Sequence, residues 1–217
     1  TYAYPLSCIG SHAFTGALLP YSAKCAIALF GTYGYEMNPL NLTKEDIKQI
    51  NEAATIYKKY HLDCIQNGDL YRMESPYESN HMSMICVAKN KEKAIAIFFN
   101  KRRESNLSRF LKFDGLDDDS LYQNSWDKKI YSGKQIRLIG INLIKWLEEF
   151  ETIIITFDKV KDWVEGEFMI KKENLYIRDP YIYFEDGIYY LYSSYQKIED
   201  LYPSFVVYKS KDLEEFS

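Results

Sequence analysis

The chain has 217 residues, a formal net charge of −4, 47% hydrophobic residues and four cysteines. That length allows one or two domains with real cores, and the acidic balance argues against nucleic acid, because neutralising phosphates needs a basic face. Cys8, Cys25, Cys64 and Cys86 form no CxxC pair and His12, His61 and His81 are scattered, so no disulfide framework, metal site or cofactor is expected. No signal peptide or membrane span is visible, which makes a cytoplasmic location without a membrane partner the expectation. Thr1 is no native start.

The first predicted element is residues 25–30 (CAIALF), an unbroken apolar run ahead of Gly31 and Gly34 that reads as a strand buried on both faces. Thr43 then supplies an N-cap, with Glu45 and Asp46 in the first turn. Ile47, Ile50, Ala54 and Tyr57 recur at helical spacing, and Lys58, Lys59 and His61 close the segment with positive charge. Strand, Gly-containing loop and helix together make one βα unit. From Cys64 the texture changes to short runs at residues 83–87, 94–100, 107–113 and 152–157. Turn signals at Asn67-Gly68-Asp69, Lys89-Asn90-Lys91, Asp114-Gly115 and Ser132-Gly133 separate them, predicting an antiparallel sandwich or barrel. In the tail, residues 181–184 and 188–192 flank Glu185-Asp186-Gly187, whose Asp-Gly step predicts a type I′ hairpin, and residues 205–208 supply a third strand.

Five segments carry a resemblance over about residues 1–160: YPLSCIGSH (4–12), FGTYGYE (30–36), IQNGDLYRMESPYE (65–78), LKFDGLDDDSLY (111–122) and IYSGKQI (130–136). In that order they resemble the C-terminal part of the glycoside hydrolase family 36 α-galactosidases. The resemblance implies hydrolysis of terminal α-galactosides with retention, by two aspartates on a (β/α)8 barrel, both in motifs upstream of the matched region. The implied fold is mainly β with an α/β start: the last βα units of a barrel (1–62), then an antiparallel β-sandwich (63–160). An oligosaccharide substrate is implied only with the whole barrel present, and a homo-oligomer for the whole enzyme. The chain alone is expected to be inactive. After Gly10-Ser11-His12 the family's longer loop, with its Pro-Asn-His-Gln run, is shortened by about six residues.

Beyond a linker at 161–168, residues 169–217 resemble the start of a glycoside hydrolase family 43 five-bladed propeller, making a partial blade. The likeness rests on Ile177-Arg178-Asp179-Pro180, residues 186–192 (DGIYYLY) and residues 208–213 (YKSKDL). It implies that Asp179 matches the general base of an inverting site whose acid and second aspartate lie beyond the matched stretch. Met169 resembles the start of such a protein, so the expectation is a fusion, a readthrough or frameshifted boundary, or an engineered fragment.

Each singled-out residue also has a plainer reading. An Asp before Pro at a strand start is often a turn or cap residue. Asp117-Asp118-Asp119 lacks the spaced ligands of a calcium loop and reads as a solvated turn. Lys101-Arg102-Arg103 reads as a solvated hairpin end, and Ser11 and His12, adjacent on a strand, point to opposite faces. The twenty tyrosines fit half-buried strands. Two function classes remain: an incomplete α-galactosidase, or a non-catalytic carbohydrate-binding or subunit-contact module.

Overall fold

The apolar run at residues 25–30 is helix, not strand. In the computed structural model, α1 spans Tyr21–Leu29 and buries Ala23, Lys24, Cys25, Ala26, Ala28 and Leu29. An unbroken apolar run does not distinguish a buried strand from a buried helix, and the three alanines of α1, with Ile27 its single β-branched residue, favour the helix. Pro20 sets an extended entry, and Gln49 accepts the otherwise unpaired amide of Ser22 at 2.7 Å.

The structure describes residues 3–16, 19–103, 108–160, 170–172, 178–195 and 204–216. They belong to two compact units, Thr1–Val160 and Lys161–Ser217. In the first unit, β1 (His12–Phe14) runs parallel to β2 (Gly34–Glu36), with α1 as the crossover between them. Then comes α2 (Lys44–Tyr60), capped as expected: Thr43 accepts from the Asp46 amide and the Asp46 carboxylate accepts from the Thr43 amide. His61 does not end this helix as an exposed cation. It is buried, opens a π-helical stretch over His61–Gln66, and bonds the Gly31 carbonyl through Nε2 at 2.7 Å.

Beyond this stretch the strands are β3 (Asp69–Glu74), β4 (His81–Val87), β5 (Lys93–Asn100), β6 (Ser108–Leu111), β7 (Leu121–Asn124), β8 (Ile130–Ser132), β9 (Ile141–Ile144) and β10 (Thr152–Lys159). Six of them form an antiparallel sheet in the order β3-β4-β5-β10-β7-β8, and β6 pairs with β9 in a separate ribbon. Ser132-Gly133 is not a turn but the start of α3 (Gly133–Leu138), because Ser132 and Gln135 form a capping box.

Alternation along the central strands sends side chains into two cores. Ala94, Ala96 and Phe98 of β5 join Ile85, Ile155 and Phe157 under the β6–β9 ribbon and α3 residue Ile136. Ile95 and Ile97 point the other way and meet Leu29, Phe30, Tyr60, Cys64 and Ile65. The sheet is therefore the middle of three layers, and the helical segment covers its second face. Asp158 on β10 reinforces that join by accepting from Lys59 Nζ and Tyr60 OH, each at 2.7 Å.

In the second unit, β12 (Arg178–Glu185), β13 (Ile188–Tyr195) and β14 (Ser204–Ser210) make an antiparallel meander, and the short β11 (Ile170–Lys171) pairs with β15 (Glu215–Phe216). Asp186 and Gly187 have φ of 51° and 80°, the positive values a type I′ turn requires. Tyr181 and Tyr183 stand on one face, while Tyr189 packs at a tilt against Phe184 on the other, ring centroids 4.5 Å apart. The expected strands are thus present; a propeller blade is a finer statement than this meander carries.

Candidate functional site

Functional chemistry in parallel βα folds gathers at the C-terminal ends of the strands. Here the parallel strands are β1 and β2, whose last residues are Phe14 and Glu36. His12 lies in register with Gly34, and Phe14 with Glu36. Ala13, between His12 and Phe14, is fully buried among Cys25, Ala28 and Ala53 of the two helices. Side chains alternate along a strand, so His12, Phe14 and Glu36 occupy the face turned away from α1 and α2.

On that face His12 Nδ1 and Glu36 Oε1 are 2.7 Å apart. The imidazole lies directly over Gly34, where an added Cβ would sit 2.6 Å from His12 Cδ2. A second glycine makes room for the preceding residue: a Cβ on Gly31 would be 2.6 Å from Ser11 Cβ and 2.8 Å from the Ile9 carbonyl. Ser11 and His12 therefore meet different glycines on different faces, and no Ser–His couple forms. The chain between the two glycines is strained, with Tyr33 at φ 55°. Its ring stacks on Tyr57 at 4.7 Å, and its hydroxyl bonds Tyr35. Burial pushes the Tyr33 phenol up, and the bond to Tyr35 adds to the effect.

Asp179 falls on β12, beside the register shift between Arg178 and Tyr181, and its side chain lies outside the described residues. So do Ile177, Met169 and residues 161–168. Asp118 is held by Arg137 in a two-point bond at 2.6 and 3.1 Å, and Asp117 accepts from Ser120, each bond depressing the carboxyl's pKa. This is a tied surface turn, and no group of three or more metal-ligating side chains occurs among the described residues. Lys101 donates to the Pro76 carbonyl and Arg103 faces Glu148 at 3.5 Å, so two of the three cations of the basic cluster are occupied locally. Burial pushes the Cys64 thiol up to about 12 and raises that of Cys86, which makes both poor nucleophiles. A pocket of about 310 Å³ opens between residues 3–6 and β3, lined by Tyr4, Gln66, Asp69, Arg72 and Cys86 among others. No described helix is long and apolar enough to cross a membrane.

Sequence reasoning missed the pairing of His12 with Glu36. Both residues lay in the motifs already singled out, but reading residues 25–30 as a strand hid that those motifs are neighbours in one parallel pair.

Comparison with known proteins places this geometry. Residues 81–157 match the glycosyl hydrolase family 36 C-terminal domain. The bifunctional α-galactosidase/sucrose kinase AgaSK of Mediterraneibacter gnavus is 28% identical over 76% of this chain and 20% of its own length. The solved galactosidase domain of an AgaSK superposes with a TM-score of 0.67 at 28% identity, over 72% of this chain and 23% of that one. The α-galactosidase AgaA of Geobacillus stearothermophilus, solved with raffinose, has the same fold over 72% of this chain and 23% of its own, with a TM-score of 0.68 at 24% identity. The chain spans about a fifth of the length of the curated relatives it matches. Its similarity is to the C-terminal region of α-galactosidases.

Proposed function

We propose that this chain is the C-terminal portion of a family 36 α-galactosidase, supplying the last two βα repeats of the catalytic barrel and the β domain behind them. The observation that carries this reading is the β1–α1–β2–α2 order, a parallel pair with its helices on one face and the solvent-exposed side chains of His12, Phe14 and Glu36 on the other. In a closed barrel that open face is interior and further strands flank the pair. Ile47 on α2, 46% exposed, and Phe14, 47% exposed, fit surfaces that the remaining barrel would cover.

The whole enzyme would cleave terminal α-galactosides of the raffinose or melibiose type with retention, using an aspartate nucleophile and an aspartate acid/base about 5 Å apart. Both would come from upstream, so the part played by this chain is to close the barrel and anchor it to the three-layer β domain. Alone it would hydrolyse nothing. The whole enzyme would act in the cytoplasm, as a homo-oligomer. The tail is read as the opening blade of a family 43-like propeller; its support is the three-stranded meander and the Asp179-Pro180 step, and Asp179 would be a base without its partner acid. A second reading, an accessory carbohydrate-binding or subunit-contact module, draws support from Phe110, Ile144 and Trp146, which are 53%, 46% and 54% exposed on and beside the β6–β9 ribbon.

The test is complementation. A family 36 galactosidase truncated before its last two βα repeats is mixed with this chain and assayed on an aryl α-galactoside. Activity only in the mixture is the expected result, with the chain alone inactive and Asp179→Asn without effect. A mixture as inert as its parts, despite both being folded, would count against the barrel reading.

A further inference from the structure

We propose that His12 and Glu36 form a recognition pair for the hydroxyls of a pyranoside; the proposal rests on the barrel reading above and adds a residue-level role to it. The interior of a (β/α)8 barrel is filled mainly by branched aliphatic side chains. Yet the face of β1–β2 that would look inward carries an imidazole, a carboxylate and a phenyl ring. Enclosing a carboxylate and an imidazole is costly unless both are hydrogen-bonded, and the 2.7 Å bond between them satisfies only one atom of each. His12 Nε2 and Glu36 Oε2 make no hydrogen bond to any described residue.

The pair is also oriented for one task. A carboxylate only accepts, so in the neutral imidazole the bonded Nδ1 carries the proton and Nε2 is left as an acceptor. Gly34 makes room for the ring, since a Cβ there would sit 2.6 Å from Cδ2 and 3.1 Å from Nε2. Two acceptors, Nε2 and Oε2, are thus left on the strand face turned away from α1 and α2. Phe14, in register with Glu36, adds an apolar wall beside them. Two acceptors beside an aromatic ring suit a ligand with adjacent O–H donors and an apolar C–H face, which is a sugar ring.

The test uses the 217-residue chain labelled uniformly with 15N, with methyl α-D-galactopyranoside as the probe. The expected starting spectrum shows His12 as the Nδ1–H tautomer. On titration its Nε2 signal shifts saturably with millimolar affinity, while the signals of His61 and His81, buried at 4% and 5% exposure, stay in place. His12→Ala removes the accompanying shift at the Phe14 amide. Glu36→Gln, which no longer imposes the tautomer, weakens binding about tenfold. Absence of a saturable shift, or an affinity unchanged by Glu36→Gln, overturns the proposal. The two readings fail separately: a complemented enzyme that is active while the probe leaves His12 untouched removes the pair and keeps the galactosidase. Equal response to methyl α-D-glucopyranoside upholds the pair and counts against the galactoside assignment.

Discussion

The six-stranded sheet of the first unit and the three-stranded meander of the tail are written in the same strand vocabulary, yet their faces meet different fates. On β5, Ala94, Ile95, Ala96, Ile97 and Phe98 are all buried, because the ribbon with α3 covers one face and the helical segment covers the other. On β12, Tyr181, Ile182, Tyr183 and Phe184 are 66%, 50%, 43% and 56% exposed, although cross-strand aromatic contacts such as Phe184–Tyr189 are in place. The contrast separates two contributions to a β structure. Local pairing and turn chemistry suffice to form strands; burial, the larger energy, requires another layer.

The largest expected effect uses that difference directly. Phe98→Ala should cost about 3–5 kcal/mol in chemical denaturation of the first unit, since it opens a cavity in a packed core. Phe184→Ala in the tail should stay within about 0.5 kcal/mol. Equal losses at the two positions would mean that the tail's aromatic face is covered after all.

Gly68→Ala should come next, at about 1–3 kcal/mol. A Cβ there would lie 2.3 Å from the Cys64 carbonyl oxygen and 2.5 Å from that of Val87, forcing apart the π-helical stretch and β4 where the helical layer joins the sheet. The same change at Gly187 meets no neighbour within 4 Å but has a φ of 80°, so its cost is local strain in the tail hairpin, read by loss of its cross-strand NOEs.

Thr43→Ala and Ser132→Ala each remove a capping box and should destabilise the first unit by about 1 kcal/mol, read as a lower thermal midpoint. The smallest expected effect is that of pH. Hydrogen bonds from Thr43, Ser120 and Arg137 hold the Asp46, Asp117 and Asp118 carboxyls below their ordinary value. A depressed carboxyl stabilises the fold fully above its unfolded pKa, about 4, and this stabilisation disappears as pH falls through the folded value. All three lie in the first unit, so an acid titration should weaken its unfolding transition below about pH 4. Arg137→Gln, which releases Asp118, should make that dependence shallower.

Much of this fold was legible because its signals are local. Thr43 and Asp46 act within one turn of helix, and Asp186-Gly187 selects its turn by φ alone. The runs at residues 83–87, 94–100 and 152–157 are short, apolar or alternating, and bounded by turn signals, as sheet strands are. The misreadings share a cause. Residues 25–30 have no period to separate buried strand from buried helix, and Ser132-Gly133 was weighed as a turn without Gln135, the residue that makes it a cap. Both depend on context beyond the dipeptide or hexapeptide read.

The candidate site was legible only in pieces. His12 and Glu36 are 24 residues apart, and nothing local relates them; a parallel pairing across α1 brings them within 2.7 Å. By itself, the sequence determined the capped helix at Thr43, the Asp186-Gly187 hairpin and the strands flanking the turn signals, because hydrogen bonding within a few residues decides those. The tertiary structure alone decided which faces are covered, that the sheet lies between two layers, and that an imidazole meets a carboxylate on the open side of two strands. Those outcomes depend on non-local packing, in which the partner of each residue is chosen by the whole chain.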